Sequence, residues 1–286
     1  MKVSLLEKLW TVWNPSILDS IDGRPISSSI RGLFTDFEYD RLPTNPYVAA
    51  LLRPEVVLGL IVLYLVSKSP LQWAMKVTRF DSTSGAFHTF IALHNLGLAV
   101  FSWICAWNSW TAVLLHVHQF GLWSTYCDPD GRLWQNGLGV WSTIFYISKY
   151  YEFLDTWVLV LKGKDASFLQ VYHHAGIVFC MWGAVASQSA WLLFVVLLNS
   201  VIHTLMYLYF FIKTISPTTE IKIAKYLTMA QITQFMVGIT CTLGVLYMGD
   251  SCDSQSSRFA LVCLHVYGWG LIALFMAFAK RKYKKS

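Results

Sequence analysis

The chain has 286 residues, of which 55% are hydrophobic and 13% charged, with six cysteines and a net charge of +6. A soluble domain is about 25% charged, and one core of this size cannot hide so much apolar surface. The same figures exclude disorder and a disulfide-rich secreted scaffold, which leaves a polytopic helical membrane protein, in keeping with a mean hydropathy of +0.48.

Residues 1–54 hold no long apolar run. They carry Asp19, Asp22, Arg24, Asp36, Glu38, Asp40 and Arg41 between short apolar stretches, and show no cleavable signal peptide. Seven spans are expected after them. The first runs from about Val56 to Trp73 and the second from Phe87 to His116, the latter long enough to tilt or to end at the interface. The third covers Leu138–Leu161, the fourth Phe168–Val185 and the fifth Trp191–Ile212. The sixth covers Leu227–Met248 and the seventh Phe259–Phe278. The expected division is therefore an N-terminal segment 1–54, a seven-helix unit 55–279 and a basic tail 280–286.

The positive charge is distributed as an orientation signal rather than as a nucleic-acid surface. Lys68, Lys76, Arg79, Lys162, Lys164, Lys213, Lys222, Lys225 and the C-terminal cluster from Lys280 to Lys285 fall on one side. The opposite loops hold Arg132 and Arg258. Positive charge stays inside, so the C-terminus reads as cytosolic and, with an odd span count, residues 1–54 as lumenal. Cys127 and Cys252 fall in lumenal loops, where a disulfide is permitted; two free thiols are the other reading.

Ionisable groups inside a bilayer are costly and usually face a bundle interior. Lys149, Glu152 and Asp155 are spaced by three on the third span, one helix face. They suit either a reaction site or an ion-pair rung between helices. Gln170, His173 and His174 share a face of the fourth span, and Asn199, His203 and Tyr207 a face of the fifth. Gln231 and Gln234 repeat the pattern on the sixth. Helix–helix hydrogen bonding could explain any one stripe. Four stripes on consecutive spans suggest one shared cavity. His88, His94, His116, His118 and His265 join no stripe and read as packing or interfacial residues.

Gln-x-x-His-His looks like one histidine box of a di-iron desaturase, but the further boxes such a site needs are missing; a single zinc on His173, His174, His203 and a carboxylate is the remaining metal reading, and no metal is expected. Acyl transfer fits better. Neutral imidazole is a nucleophile and a base. An apolar tunnel with one polar station suits a fatty acyl chain, and the nearby lysines suit an anionic head group such as coenzyme A.

These segments resemble the ELO family of fatty acid elongases. The family carries Lys-x-x-Glu-x-x-Asp-Thr, as in Lys149 to Thr156, and a His-x-x-His-His box, here with Gln170, His173 and His174. It carries Asn-x-x-x-His-x-x-Met-Tyr, as in Asn199 to Tyr207, and Thr-x-x-Gln-x-x-Gln-Phe, as in Thr228 to Phe235. Gln170 replaces the first histidine of the box, which resembles algal and protist elongases acting on polyunsaturated eighteen-carbon chains at the Δ9 position. Phe210 departs from the usual Tyr. The resemblance implies an all-α fold of seven helices around an acyl tunnel. It implies that malonyl-CoA and a long-chain acyl-CoA give 3-oxoacyl-CoA, CO2 and CoA, with no cofactor.

His173, His174, His203, Asp155 and Glu152 are then the expected catalytic residues. Lys149, Gln170, Asn199, Tyr207, Gln231 and Gln234 are the expected substrate contacts, with Lys162, Lys164 and Lys213 for the CoA phosphates. Membrane lipid, a second copy of the chain and other enzymes of the elongation cycle are the expected partners. Lys282 and Lys284 fit a dilysine retrieval signal, which implies the endoplasmic reticulum. A seven-span receptor or lipid carrier is the alternative.

Overall fold

The computed structural model describes residues 46–219 and 223–283. Among the described residues every regular element is helical. Helix α1 (Pro46–Leu51) leads into α2 (Pro54–Val66), which begins with proline where its missing N–H is harmless. Helix α3 (Lys68–Thr78) follows, bent 49° from α2. The expected first span is therefore broken. Pro70 cannot donate to the Val66 carbonyl, and the Ser67 hydroxyl donates instead to the Tyr64 carbonyl at 2.6 Å.

Helix α4 (Gly85–Cys127) starts at Ser84, whose Oγ accepts from the Phe87 N–H. It is longer than the expected second span and kinks at Gly121, where φ is 81° and a side chain would be strained. A π turn (Trp134–Leu138) leads into α5 (Gly139–Tyr151). Glu152 separates α5 from α6 (Phe153–Leu161), so the expected third span is two helices in series, each too short to cross alone. Helices α7 (Phe168–Ala186), α8 (Leu192–Ile215), α9 (Ala224–Met248) and α10 (Gln255–Tyr283) follow. Five described helices, α4 and α7 to α10, are long and apolar enough to cross a membrane, and the bent α2–α3 pair would be a sixth. The protein is thus an all-helical, multi-pass membrane protein, and seven crossings are compatible if α5 and α6 form one.

The helices close into a ring. α4 packs along α8 in the most extensive contact, α8 against α9, α9 against α10, and α10 against α7. α5 completes the circuit, touching α7, α8 and α4, while α2 lies outside against α7. Leu93, Val100, Trp103, Trp107 and Leu114 expose an apolar stripe on α4, as a lipid-facing helix must.

The two ends of the ring differ. At one, Cys127 and Cys252 form a disulfide that ties the end of α4 to the α9–α10 turn. Ser257 there links the Trp191 indole N–H, at 2.9 Å, to Asp253. At the other end lie Lys162, Lys164 and Lys213, with Lys68 paired to Asp165 at 2.7 Å. Residues 46–54 join the body of the protein: Leu52 is buried, and its carbonyl accepts from the Trp182 indole. Most of segment 1–54, together with Lys222, Lys284 and Lys285, lies outside the described residues.

Candidate active site

Polar residues of α5 to α9 meet inside the ring, in its half nearer the basic end. At the foot of α5, Lys149 and Glu152 are 1% and 2% exposed, and their Nζ and Oε1 atoms are 2.7 Å apart. The Lys149 ammonium also stands 3.7 Å over the Phe145 ring. Ser148 Oγ donates to the same carboxylate oxygen, and His203 Nδ1 of α8 lies 3.8 Å from it. The three-residue spacing thus places a compact ion pair in the bundle, at the break between two helices.

Asp155, one turn further along, faces another direction. Its Oδ1 binds His94 Nε2 of α4 at 2.7 Å, and its Oδ2 accepts from the Tyr207 hydroxyl of α8 at 2.6 Å. His94 Nδ1 meets the Tyr151 hydroxyl at 3.2 Å. Asp155 therefore orients His94, a residue read from sequence as packing. A signal existed: His94 and Asn95 are adjacent polar residues in an apolar span, the same anomaly that draws attention to His173 and His174.

Three imidazoles form the centre. The His173 ring centroid is 5.3 Å from that of His174 and 6.5 Å from that of His203. His174 lies edge-on to Phe153 and Tyr64. His173 Nδ1 is 2.7 Å from the hydroxyl of Tyr267, on α10. Sequence reasoning missed Tyr267, because α10 carries no polar stripe to mark it. His203 and Tyr207 stack edge to face at 5.5 Å, one turn apart on α8.

A cavity opens beside His173, between α7, α8, α9 and α10. Asn199, Gln234 and Tyr267 line it near the imidazoles. Ile177, Phe194, Val195, Leu198, Phe235, Ile239 and Leu264 make its walls apolar. His265 lines it too, and Nε2 of that ring bonds Thr242 Oγ1 at 2.8 Å.

Glu152 Oε2, His174 Nδ1, His203 Nδ1 and Gln234 Oε1 are buried without a hydrogen-bond partner among the described residues. Buried polar atoms normally have a partner in protein or ordered water. No group of three His, Cys, Asp or Glu side chains among the described residues is arranged to hold a metal ion.

Several expected contacts lie at the edge of this centre. Gln170 donates to Thr156 Oγ1 at 3.2 Å rather than joining the imidazoles. Gln231 reaches Met206 Sδ at 3.4 Å. Lys213 folds back on the Pro217 and Thr219 carbonyls. Lys162 and Lys164 stay at the basic end, in the turn between α6 and α7. Partial burial and the neighbouring Lys164 both lower the pKa of the Lys162 ammonium.

Residues 49–286 match the family described as ELO: GNS1/SUR4. The chain is 31% identical over 228 residues to fatty acid elongase sre1 of Dictyostelium discoideum, covering 79% of this chain and 82% of that protein. It is 31% identical over 196 residues to long chain fatty acid elongase 2 of Caenorhabditis elegans, covering 68% and 71%. It is 31% identical over 198 residues to fatty acid elongase 2 of Trypanosoma brucei brucei, covering 64% and 72%.

Proposed function

Because this chain belongs to the ELO (GNS1/SUR4) family of fatty acid elongases, we propose that it is the condensing enzyme of elongation, a 3-oxoacyl-CoA synthase. It joins malonyl-CoA to a long-chain acyl-CoA and releases CO2 and CoA. The observation that carries this reading is His173. Its ring stands in the wall of a mainly apolar cavity, beside two further imidazoles. The cavity suits an acyl chain, and the imidazole suits attack on its thioester.

The reaction runs in two stages. His173 takes the acyl group from CoA as an acyl-imidazole. Malonyl-CoA then loses CO2, and its enolate attacks the held acyl carbon. His174 and His203, each with an unpartnered nitrogen, move protons or bind the developing oxyanion. Losing one such donor costs about 10²–10³ in rate. The Lys149–Glu152 pair supplies fixed charge at the same station, and Asn199 and Gln234 line the approach. Lys162 and Lys164 hold the CoA phosphates, since an anion there would offset both the burial and the neighbouring charge that lower Lys162. The basic end is then cytosolic, where CoA thioesters are dissolved, the disulfide end is lumenal, and the compartment is the endoplasmic reticulum. A preference for polyunsaturated eighteen-carbon chains rests on Gln170.

The test uses membranes containing the protein, labelled malonyl-CoA and a panel of acyl-CoAs from sixteen to twenty-two carbons. Label in products two carbons longer, abolished by His173→Ala in protein shown to be folded, is the expected result. Undiminished label in that variant refutes the assignment of His173. No incorporation by wild type across the panel refutes condensation and favours a receptor or carrier.

A further inference from the structure

We propose that Tyr267 is a positioning residue that fixes the tautomer of His173, keeping the ring proton on Nδ1 and presenting the Nε2 lone pair to the acyl thioester. The inference deepens the acyl-imidazole reading above and rests on it.

A tyrosine hydroxyl has one proton to donate. Tyr267 Oη lies 3.0 Å from the His173 carbonyl oxygen and 2.7 Å from His173 Nδ1. The carbonyl can only accept, so the phenolic proton goes to it. Otherwise two oxygens would face each other lone pair to lone pair at 3.0 Å. The phenol oxygen is then left to accept from Nδ1, which must carry its hydrogen. One oxygen thus holds the ring and the backbone of the same residue. The opposite nitrogen, Nε2, is bare.

The phenol cannot easily leave this position. A Cβ added at Gly176 would fall 2.4 Å from the Tyr267 ring, so the ring lies flush on α7 where only glycine fits. Tyr172, one turn earlier on α7, stacks with the same ring, with centroids 5.4 Å apart, and Tyr267 is 6% exposed. The usual orienting group for a reactive histidine is a carboxylate. Here both carboxylates are otherwise engaged, Glu152 by Lys149 and Asp155 by His94 and Tyr207.

The chemistry balances. The Nε2 lone pair forms the C–N bond while the C–S bond breaks, its electron pair leaving on the CoA sulfur, which takes a proton from water. Nδ1 keeps its proton, so the adduct is an acyl-imidazolium. A neutral phenol stabilises that cation less than a carboxylate would and leaves it a good acyl donor. Malonyl-CoA loses CO2, and the enolate carbon bonds to the acyl carbon. The C–N bond breaks in the same step and returns its pair to Nε2.

The experiment separates the half-reactions in purified full-length protein. Wild type and Tyr267→Phe are mixed with palmitoyl-CoA alone, and acylated protein is timed by mass spectrometry before a malonyl-CoA chase. Tyr267→Phe should slow acylation by about 10- to 10⁴-fold, the upper end being the cost of a wrong tautomer in a hydrolytic triad. Binding of palmitoyl-CoA should stay within about threefold, since the lost hydroxyl serves the histidine. Acylation at the wild-type rate overturns the proposal. A wild type that elongates without ever carrying acyl mass overturns the acyl-imidazole reading instead. Nitrogen NMR of histidine-labelled wild type, assigned by loss of the signal in His173→Gln, reads the tautomer directly. A pyridine-type Nε2 supports the proposal, and a pyridine-type Nδ1 overturns it even if the Phe variant fails to fold.

Discussion

Replacing Lys149 by Met isolates the buried ion pair. Lys149 and Glu152 are nearly inaccessible to solvent, and their charged atoms are 2.7 Å apart. Methionine keeps most of the lysine's length and its contact with Phe145 but removes the cation. Glu152 then faces His203 at 3.8 Å and the Ser148 hydroxyl, with its second oxygen still unpartnered. Removing one partner of a buried pair typically costs about 3–5 kcal/mol. At about 2–4 °C of Tm per kcal/mol for a domain of some 200 residues, the expected fall is about 6–20 °C. Adding Glu152→Gln should recover most of it, because the uncompensated charge goes too. The assay is thermal unfolding in detergent, followed by intrinsic fluorescence, for the four members of the cycle. A single variant as stable as wild type would refute the reasoning. So would a double variant no more stable than Lys149→Met, since the loss would then come from packing.

Cys252→Ser opens a covalent loop of 125 residues, and closing loops of that order contributes up to about 4–5 kcal/mol. Lowered stability and changed mobility on non-reducing gels are expected, with reductant having no further effect. Gly176→Ala places a methyl 2.4 Å from the Tyr267 ring, at an overpacking cost of about 1–3 kcal/mol. Elongation should fall further than the loss of folded protein explains, as read by turnover per folded molecule. Tyr207→Phe and His94→Gln each remove one partner of Asp155. Both should lower turnover, and the double variant should cost less than the product of the two, measured as a double-mutant cycle on initial rates.

What the sequence revealed is what lies along one helix. The Lys149–Glu152 pair follows from spacing alone, as does the stripe from Asn199 through His203 to Tyr207. What it hid depends on which faces oppose. Tyr267 reaches His173 across 94 residues of chain, and nothing local to α10 marks a tyrosine that touches an imidazole. Asp155 could be placed on a face but not aimed, so its partnership with His94 was invisible. Span boundaries failed for a similar reason. Lys68 and Pro70 in one span and Lys149 and Glu152 in another are visible in the sequence, but whether the helix breaks there depends on backbone hydrogen bonds that hydropathy does not count.

The disulfide reaches further into the molecule than its place at one end suggests. Tyr126, next to Cys127, donates to the Cys241 carbonyl at 2.6 Å. Its ring stands edge-on to Phe194, which lines the cavity. The far wall of the cavity is thereby riveted to three helices. On the proposed reading, an acyl chain held in this cavity would be measured as with a ruler whose zero is welded in place and whose open edge is where carbon is added. Reducing Cys127–Cys252 should loosen the zero mark, so that products ending at a sharp length in the oxidised protein spread over several lengths in the reduced one.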